Sequence, residues 1–72
     1  MSRAAVIGEA TAVEGFGLAG AVVCPAENRA EAAAAWRSLP PDIAVVVVTA
    51  RAAAWLGEMP RRRDVLPVVM LP

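Results

Sequence analysis

The sequence contains no histidine, no lysine and no tyrosine, and its seven positive residues are all arginines. Without histidine there is no Ser-His or Cys-His nucleophile pair, and no imidazole is present to bind a metal. Without lysine there is no Schiff base, and the lysine that contacts phosphate in a P-loop is missing. These absences favour a protein with no catalytic site, no metal and no cofactor.

The chain also lacks an excess of positive or negative charge, and it has few aromatic side chains. Seven acidic residues balance the seven arginines, so the formal net charge is zero, and aromatic residues make up only 4% of the chain. A surface that binds nucleic acid needs a basic face and often stacking rings, so we expect no nucleic-acid partner. The arginine run at 61–63 is interpreted as a solvated loop, with contact to an acidic partner as the second interpretation.

A single cysteine, Cys24, excludes a disulfide within the chain and favours the cytosol. The apolar stretch after the first three residues is interrupted by Glu9 and Glu14, unlike the continuous core of a secretory signal. The longest uncharged apolar run, IAVVVVTA at 43–50, is far shorter than the roughly 20 residues that span a bilayer. We therefore expect a cytoplasmic protein with no direct membrane insertion.

Apolar residues are abundant in the sequence. Hydrophobic residues make up 58% of the 72 residues and charged residues 19%. A chain of this size buries only about 60% of the surface that its unfolded form exposes, so it should be marginally stable alone. We expect one domain over residues 1–72, with apolar surface that favours a protein partner.

Runs of β-branched residues alternate with alanine-rich amphipathic stretches, which is typical of α/β folding. Strands are predicted at 3–8, 21–25, 43–49 and 66–72. Helices are predicted at about 10–19, from residue 29 to the prolines at 40–41, and from residue 50 to near Gly57 and Pro60. With connections of crossover length, this order predicts a small Rossmann-like open sheet of four parallel strands, flanked by helices.

Local signals refine this prediction. Asn28 with Glu31 forms a capping-box pattern, and Thr49 is placed to cap the third helix. The uninterrupted β-branched run at 43–49 predicts a strand covered on both faces. The inward stripe of the second helix is predicted at Ala32, Ala35 or Trp36, and Leu39, while Trp36 and Trp55 are both expected to pack on the core or the sheet.

The run GFGLAG at 15–20 has the G-x-G-x-x-G spacing of dinucleotide-binding loops. That fingerprint requires the glycines to follow a strand directly and to begin a helix. Here the first predicted strand ends at Gly8 and another strand follows Gly20, so we expect no nucleotide to bind through this run. Gly15 and Gly17 are instead expected to let the first helix approach the sheet, and Gly20 to end that helix.

The same run resembles the amino-terminal signature of the F subunit of the V-type and A-type rotary ATPases, in which a strand ending in a Gly-acid pair precedes Gly-Phe-x-Leu-Ala-Gly. AENRAEAAAAWRSL is similar to the second helix of that family, DIAVVVVTARAA to its third strand and LPVVMLP to its closing strand. The resemblance is collinear over nearly the whole chain. The family commonly has arginine where this chain has Gly17, and it tends to continue into a carboxyl-terminal tail, whereas this chain ends at Pro72.

The resemblance implies a non-catalytic central-stalk (rotor) subunit of a V/A-type rotary ATPase or ATP synthase, which couples ATP hydrolysis or synthesis to proton or ion transport. It implies the shaft subunit and other subunits of the complex as partners, and a cytoplasmic location peripheral to a membrane-bound complex. The partner interface would then include Gly15, Phe16, Leu18, Ala19 and Gly20. Packing of the first helix on the sheet is the alternative role for Phe16 and Leu18.

A small-ligand-binding or allosteric domain remains the alternative function. Open α/β sheets bind ligands at the carboxyl ends of their strands, where Gly8, Glu9, Cys24 and Thr49 are predicted to form a crevice. Cys24 is expected to be a packed thiol because no positive residue lies near it in sequence, and Glu9 a solvated charge at a helix start. The missing lysine, with no aspartate at the end of the third strand, excludes phosphotransfer of the receiver-domain kind.

Overall fold

The computed structural model describes residues 3–15 and 20–57 with their side chains, and the backbone of residues 66–70. Strands and helices alternate along the chain. Their bounds are β1 (Arg3–Gly8), α1 (Ala10–Val13), β2 (Val22–Pro25), α2 (Arg29–Arg37), β3 (Ile43–Thr49), α3 (Ala50–Leu56) and β4 (Leu66–Met70).

The strands pair in the order β2-β1-β3-β4, and each neighbouring pair is parallel. Ile7 of β1 lies opposite Cys24 of β2 on one side and Val48 of β3 on the other. The prediction of an α/β domain with a parallel sheet flanked by helices is confirmed. The strand β2 lies on one side of β1, whereas β3 and β4 lie on the other. The strand order therefore reverses between β1 and β3.

The larger core lies between the sheet and the pair α2 and α3. Ala32 of α2 and Ala52 of α3 have no exposed surface, and their small side chains let both helices lie close to the strands. Trp36 and Leu39 are buried as predicted, while Ala35 and Trp55 are partly buried against the same core. The buried members of this core are Ala5, Ile7, Ala26, Ala32, Trp36, Leu39, Ile43, Val46, Val48 and Ala52.

The opposite face of the sheet is covered less completely. Val6 of β1 points away from the α2 and α3 core, because side chains alternate along a strand, and it is buried together with Val13 of α1. Val45 and Val47 of β3 alternate onto the same face and are only half-buried. No residue of β3 is exposed, so the prediction of a central strand covered on both faces is confirmed, with the weaker cover on the face of α1.

The first helix is shorter than the predicted span of 10–19. Its α-helical part ends at Val13, and Glu14 and Gly15 continue as a 3₁₀ turn, which is frequent at helix ends. Residues 16–19 lie outside the described residues. Among the described residues, apart from its chain neighbours, a Cβ added at Gly15 would meet no atom within 4 Å, so the prediction that Gly15 permits a close approach to the sheet is wrong. Gly20 has a φ of +85°, the left-handed region that favours glycine.

The predicted helix caps are confirmed. The Asn28 Oδ1 atom accepts a hydrogen bond from the Glu31 amide at 2.8 Å, and the Thr49 Oγ1 atom accepts one from the Ala52 amide at 3.2 Å. The second helix ends at Arg37, before the predicted prolines, since a residue that precedes proline is biased away from helical backbone. The third helix ends at Leu56, beside Gly57 as predicted, and β2 begins one residue later than predicted, at position 22.

An ion pair joins the amino ends of β1 and β3. The Arg3 guanidinium contacts both carboxylate oxygens of Asp42, at 2.5 Å through Nε and at 3.0 Å through Nη2. The Arg3 amide also donates to the Asp42 carbonyl at 2.9 Å. These bonds fix the start of β1 against the turn that precedes β3, at the end of the sheet opposite the strand-end cleft described below.

Candidate functional site

A cleft opens at the carboxyl ends of β1 and β3, where the strand order reverses. The helix that follows β1 leaves on one face of the sheet and the helix that follows β3 leaves on the other, so the cleft opens between the starts of α1 and α3. The strand-end cleft has a volume of about 480 Å³ and is lined by Glu9, Thr11, Ala12, Glu27, Thr49, Ala50 and Arg51.

Thr49 is the side chain that holds this edge of the sheet together. It is 5% exposed, and its hydroxyl donates a hydrogen bond to the Glu9 Oε1 atom at 2.6 Å while accepting from the Ala52 amide. Gly8 lies directly against it: an added Cβ would stand 2.3 Å from the Thr49 Cγ2 atom, so a larger residue does not fit. The structure thus brings together Gly8, Glu9 and Thr49 from the predicted crevice.

Glu9 is held in its ionised form. The hydrogen bond from Thr49 lowers the pKa of the Glu9 carboxyl, and the Glu9 backbone amide and the nearby charge of Arg51 act in the same direction. Partial desolvation opposes these effects and is outweighed by them. The carboxylate is therefore a fixed negative charge at neutral pH, which matches the expected charge at a helix start.

Glu27 supplies a second carboxylate from the connection between β2 and α2. Its Oε2 atom accepts a hydrogen bond from the Ala10 amide at 2.7 Å, and Glu9, the residue before α1, makes no side-chain cap there. The Glu27 amide in turn donates to Glu31 at 2.8 Å, and the neighbouring Ala26 amide donates to the Gly8 carbonyl at 2.8 Å. These bonds fix the connection beside the end of β1.

Cys24, the fourth residue of the predicted crevice, lies elsewhere. It does not line the strand-end cleft, and it packs half-buried against the core beneath α2 and α3. Burial raises the pKa of its thiol. The thiol is therefore protonated at neutral pH, as expected of a packed cysteine.

The sequence prediction missed five of the seven residues that line the cleft, namely Thr11, Ala12, Glu27, Ala50 and Arg51. A usable signal was present for the two charged residues among them, since Glu27 follows the end of β2 closely and Arg51 lies in the first turn after β3. The carboxyl ends of parallel strands meet at one edge of a sheet, so both positions belong to the same edge as Glu9.

Most of the predicted partner interface falls on residues that the structure does not describe. Phe16, Leu18 and Ala19 lie outside the described residues, as do Gly17 and the arginine run at 61–63. Gly15 and Gly20 are described, and both are exposed. The two ends of the GFGLAG run therefore lie at the surface.

The described residues contain neither a metal-binding cluster nor a membrane-spanning helix. In 3–15, 20–57 and 66–70, no group of three or more His, Cys, Asp or Glu side chains is placed to hold a metal ion. Among the helices of the same ranges, none combines the length and the apolar character needed to cross a membrane.

Comparison with known proteins gives a match to one protein family. The sequence profile of the family described as ATP synthase (F/14-kDa) subunit matches residues 4–71. No curated protein is a significant match to the chain. The matched range includes every residue of the strand-end cleft and the whole GFGLAG run, so both features lie in the part of the chain that is similar to this family.

Proposed function

The chain belongs to the family described as ATP synthase (F/14-kDa) subunit, and we propose that it is a non-catalytic central-stalk subunit of a V-type or A-type rotary ATPase or ATP synthase. In this role it binds the shaft subunit and helps couple ATP hydrolysis or synthesis to the transport of protons or other ions. The single observation that carries the proposal is the family match over residues 4–71. The whole four-stranded Rossmann-like domain is the unit that assembles into the complex, in the cytoplasm and peripheral to the membrane.

The chemistry of the strand-end cleft supports a role without catalysis. A general acid or base works best when its pKa lies near the working pH, whereas the pKa of Glu9 is lowered from a value that is already acidic. Thr49 donates its hydroxyl proton to Glu9 and accepts from the Ala52 amide, so its oxygen is engaged in holding α3. These groups are arranged to position each other.

The exposed ends of the GFGLAG run support an interface there. Glu14, Gly15 and Gly20 are exposed, so a partner can reach the described residues at both ends of the run. We propose that Gly15, Phe16, Leu18, Ala19 and Gly20 contact the shaft subunit, with the two larger apolar side chains as the anchors of the contact.

Co-expression with the shaft subunit of the same organism tests the proposal. An affinity-tagged chain should retain the shaft subunit in a stoichiometric complex on the column. Phe16→Glu or Leu18→Glu should abolish retention while the isolated variant keeps the circular dichroism spectrum of the wild-type chain. A wild-type chain that is folded and retains no shaft subunit contradicts the stalk role, and retention by both folded variants contradicts the interface.

A small-ligand-binding domain is the second candidate function, and the position of the cleft at the reversal of strand order favours it. The two functions differ in what stabilises the folded chain, because any molecule that binds only the folded state raises the melting temperature. The stalk role predicts a rise with the shaft subunit. A rise with a small-molecule library and none with the shaft subunit supports the second function instead.

A further inference from the structure

The outermost strands of the described sheet are β2 and β4. An edge strand has a row of backbone N–H and C=O groups that no neighbouring strand binds, and such a row can pair with a strand of another chain. Edge strands are commonly protected by charged side chains or by proline. Neither β2, with the sequence VVCP, nor β4, with the sequence LPVVM, contains a charged residue, and each contains one proline. The backbone direction at these two prolines therefore decides how well the edges can pair.

At the β2 edge, the backbone of Pro25 faces away from the sheet. Pro25 lies opposite Gly8 of β1, and the next amide, that of Ala26, donates to the Gly8 carbonyl at 2.8 Å. In a parallel pair, alternate residues of a strand direct their N–H and C=O groups to the same neighbour. Ala26 and Cys24 therefore bond towards β1. Pro25 and Val23 face outwards, and because proline has no N–H, Val23 is the one residue of β2 with a donor on the outer edge.

The β4 edge has the same arrangement. Pro67 lies opposite Val46 of β3. Of two residues paired in a parallel ladder, one directs both its N–H and its C=O to the partner strand, and the other directs both away. Proline has no N–H to give to the ladder, so Val46 is the bonding residue and the Pro67 backbone faces outwards. Val69, two residues further along, is then the one residue of β4 with an N–H on the outer edge.

We infer that Pro25 and Pro67 prevent the sheet from pairing, edge to edge, with a second copy of this chain. Each edge strand has two outward-facing positions, and proline leaves one N–H donor on each, too few for the ladder of hydrogen bonds that joins two strands. Both edge strands are apolar and contain two valines, which favours strand pairing. The formal net charge of zero gives two copies no overall repulsion. The prolines therefore supply a protection that neither charge nor composition provides.

Replacement of both prolines by threonine tests the inference. The double variant Pro25→Thr, Pro67→Thr adds one outward N–H to each edge without adding an apolar side chain. In sedimentation velocity at increasing concentration, the wild-type chain should keep the mass of a monomer, whereas the average mass of the double variant should at least double. Circular dichroism checks that the variant is folded. A folded double variant that keeps the monomer mass over the same concentrations overturns the inference.

Pro41→Thr is the matched control, because it makes the same exchange in the exposed turn between α2 and β3, where the Ile43 amide donates to the Pro40 carbonyl at 3.2 Å. It also adds one N–H, but at a position outside the sheet. This variant should keep the monomer mass. If it associates as strongly as the double variant, the association does not arise at the sheet edges and the inference is wrong.

Hydrogen exchange of the wild-type chain gives a second test, which does not depend on whether a variant folds. The Cys24 amide, which faces β1, should exchange slowly, and the Val23 amide, which faces outwards, should exchange roughly tenfold faster or more. Neither rate should change with protein concentration. Equal protection of the two amides, or protection of the Val23 amide that increases with concentration, would show that the β2 edge is paired and would overturn the inference.

Discussion

At the scale of single residues, Thr49 connects two elements through one oxygen atom. Its Oγ1 atom accepts from the Ala52 amide in the first turn of α3, and its hydroxyl proton is directed to the Glu9 carboxylate after β1. The polarity of this chain of hydrogen bonds is fixed, because a backbone amide only donates and an ionised carboxylate only accepts. The start of α3 and the charge of Glu9 therefore depend on the same side chain.

Substitution by alanine should affect the stability of the fold very differently at Gly8, which lies beside Thr49, and at Gly15. Gly8→Ala should destabilise the fold by about 1–3 kcal/mol, because the new Cβ would stand 2.3 Å from the Thr49 Cγ2 atom. Gly15→Ala should be neutral or stabilising by up to about 1 kcal/mol, because its Cβ meets no described residue beyond its chain neighbours within 4 Å and alanine restricts the unfolded chain. Urea unfolding of both variants measures the difference, and equal stabilities would contradict this packing at Gly8.

The lowered pKa of Glu9 predicts a pH dependence of stability. A carboxyl whose pKa is lower in the folded chain than in the unfolded chain stabilises the fold above its unfolded pKa. That contribution is lost as the pH falls through the folded pKa, so the wild-type chain should lose stability in the acidic range. The same sign holds for Asp42, whose pKa is lowered by its hydrogen bond to Arg3.

Glu9→Gln should remove the Glu9 part of this dependence. Urea midpoints measured from neutral to acidic pH should fall less steeply for this variant than for the wild-type chain. A Glu9→Gln curve parallel to the wild-type curve would show that the bond to Thr49 does not hold the carboxylate.

At the scale of elements, what could be predicted depends on how far apart the interacting residues lie in sequence. The caps at Asn28 and Thr49 use partners three residues away, so their residue types and spacing were sufficient. The Glu27 cap on Ala10 joins residues 17 positions apart, and the ion pair between Arg3 and Asp42 joins residues 39 apart. Such pairs depend on the tertiary fold, and no local pattern indicates them.

The same distinction applies to the candidate site. Gly8, Glu9 and Thr49 were predicted from their positions at strand ends, and the structure places them in contact. Cys24 was grouped with them on the same argument, although its side chain faces the core on the α2 and α3 side of the sheet. The face of the sheet on which a side chain lies depends on strand alternation and on which helices pack there. Closeness to the strand end does not determine that face.

The Asn28 side chain is expected to stabilise α2 by capping its amino end. Asn28→Ala should destabilise the fold by about 1 kcal/mol, because the Glu31 amide loses the oxygen that accepts its hydrogen bond. Asn28→Asp keeps such an oxygen and should preserve stability. Thermal unfolding of the two variants measures this, and an equal loss in both would show that the cap does not stabilise α2.

At the scale of the whole molecule, the domain is asymmetric about its sheet. The helices α2 and α3 cover one face of the sheet. Among the described residues, α1 covers part of the other face, where Val45 and Val47 of β3 are half-buried. A chain of 72 residues with 58% hydrophobic residues has little stability to spare, and a partner that binds only the folded state raises it. The architecture is consistent with a subunit whose stability and function depend on assembly.

The measurement that tests the stalk role most directly is size-exclusion chromatography with light scattering on a mixture of the separately purified chain and shaft subunit. The stalk role predicts a single species with the mass of a one-to-one complex, at concentrations where each protein alone is folded and elutes at its own mass. Two species that keep their individual masses under those conditions would contradict that role.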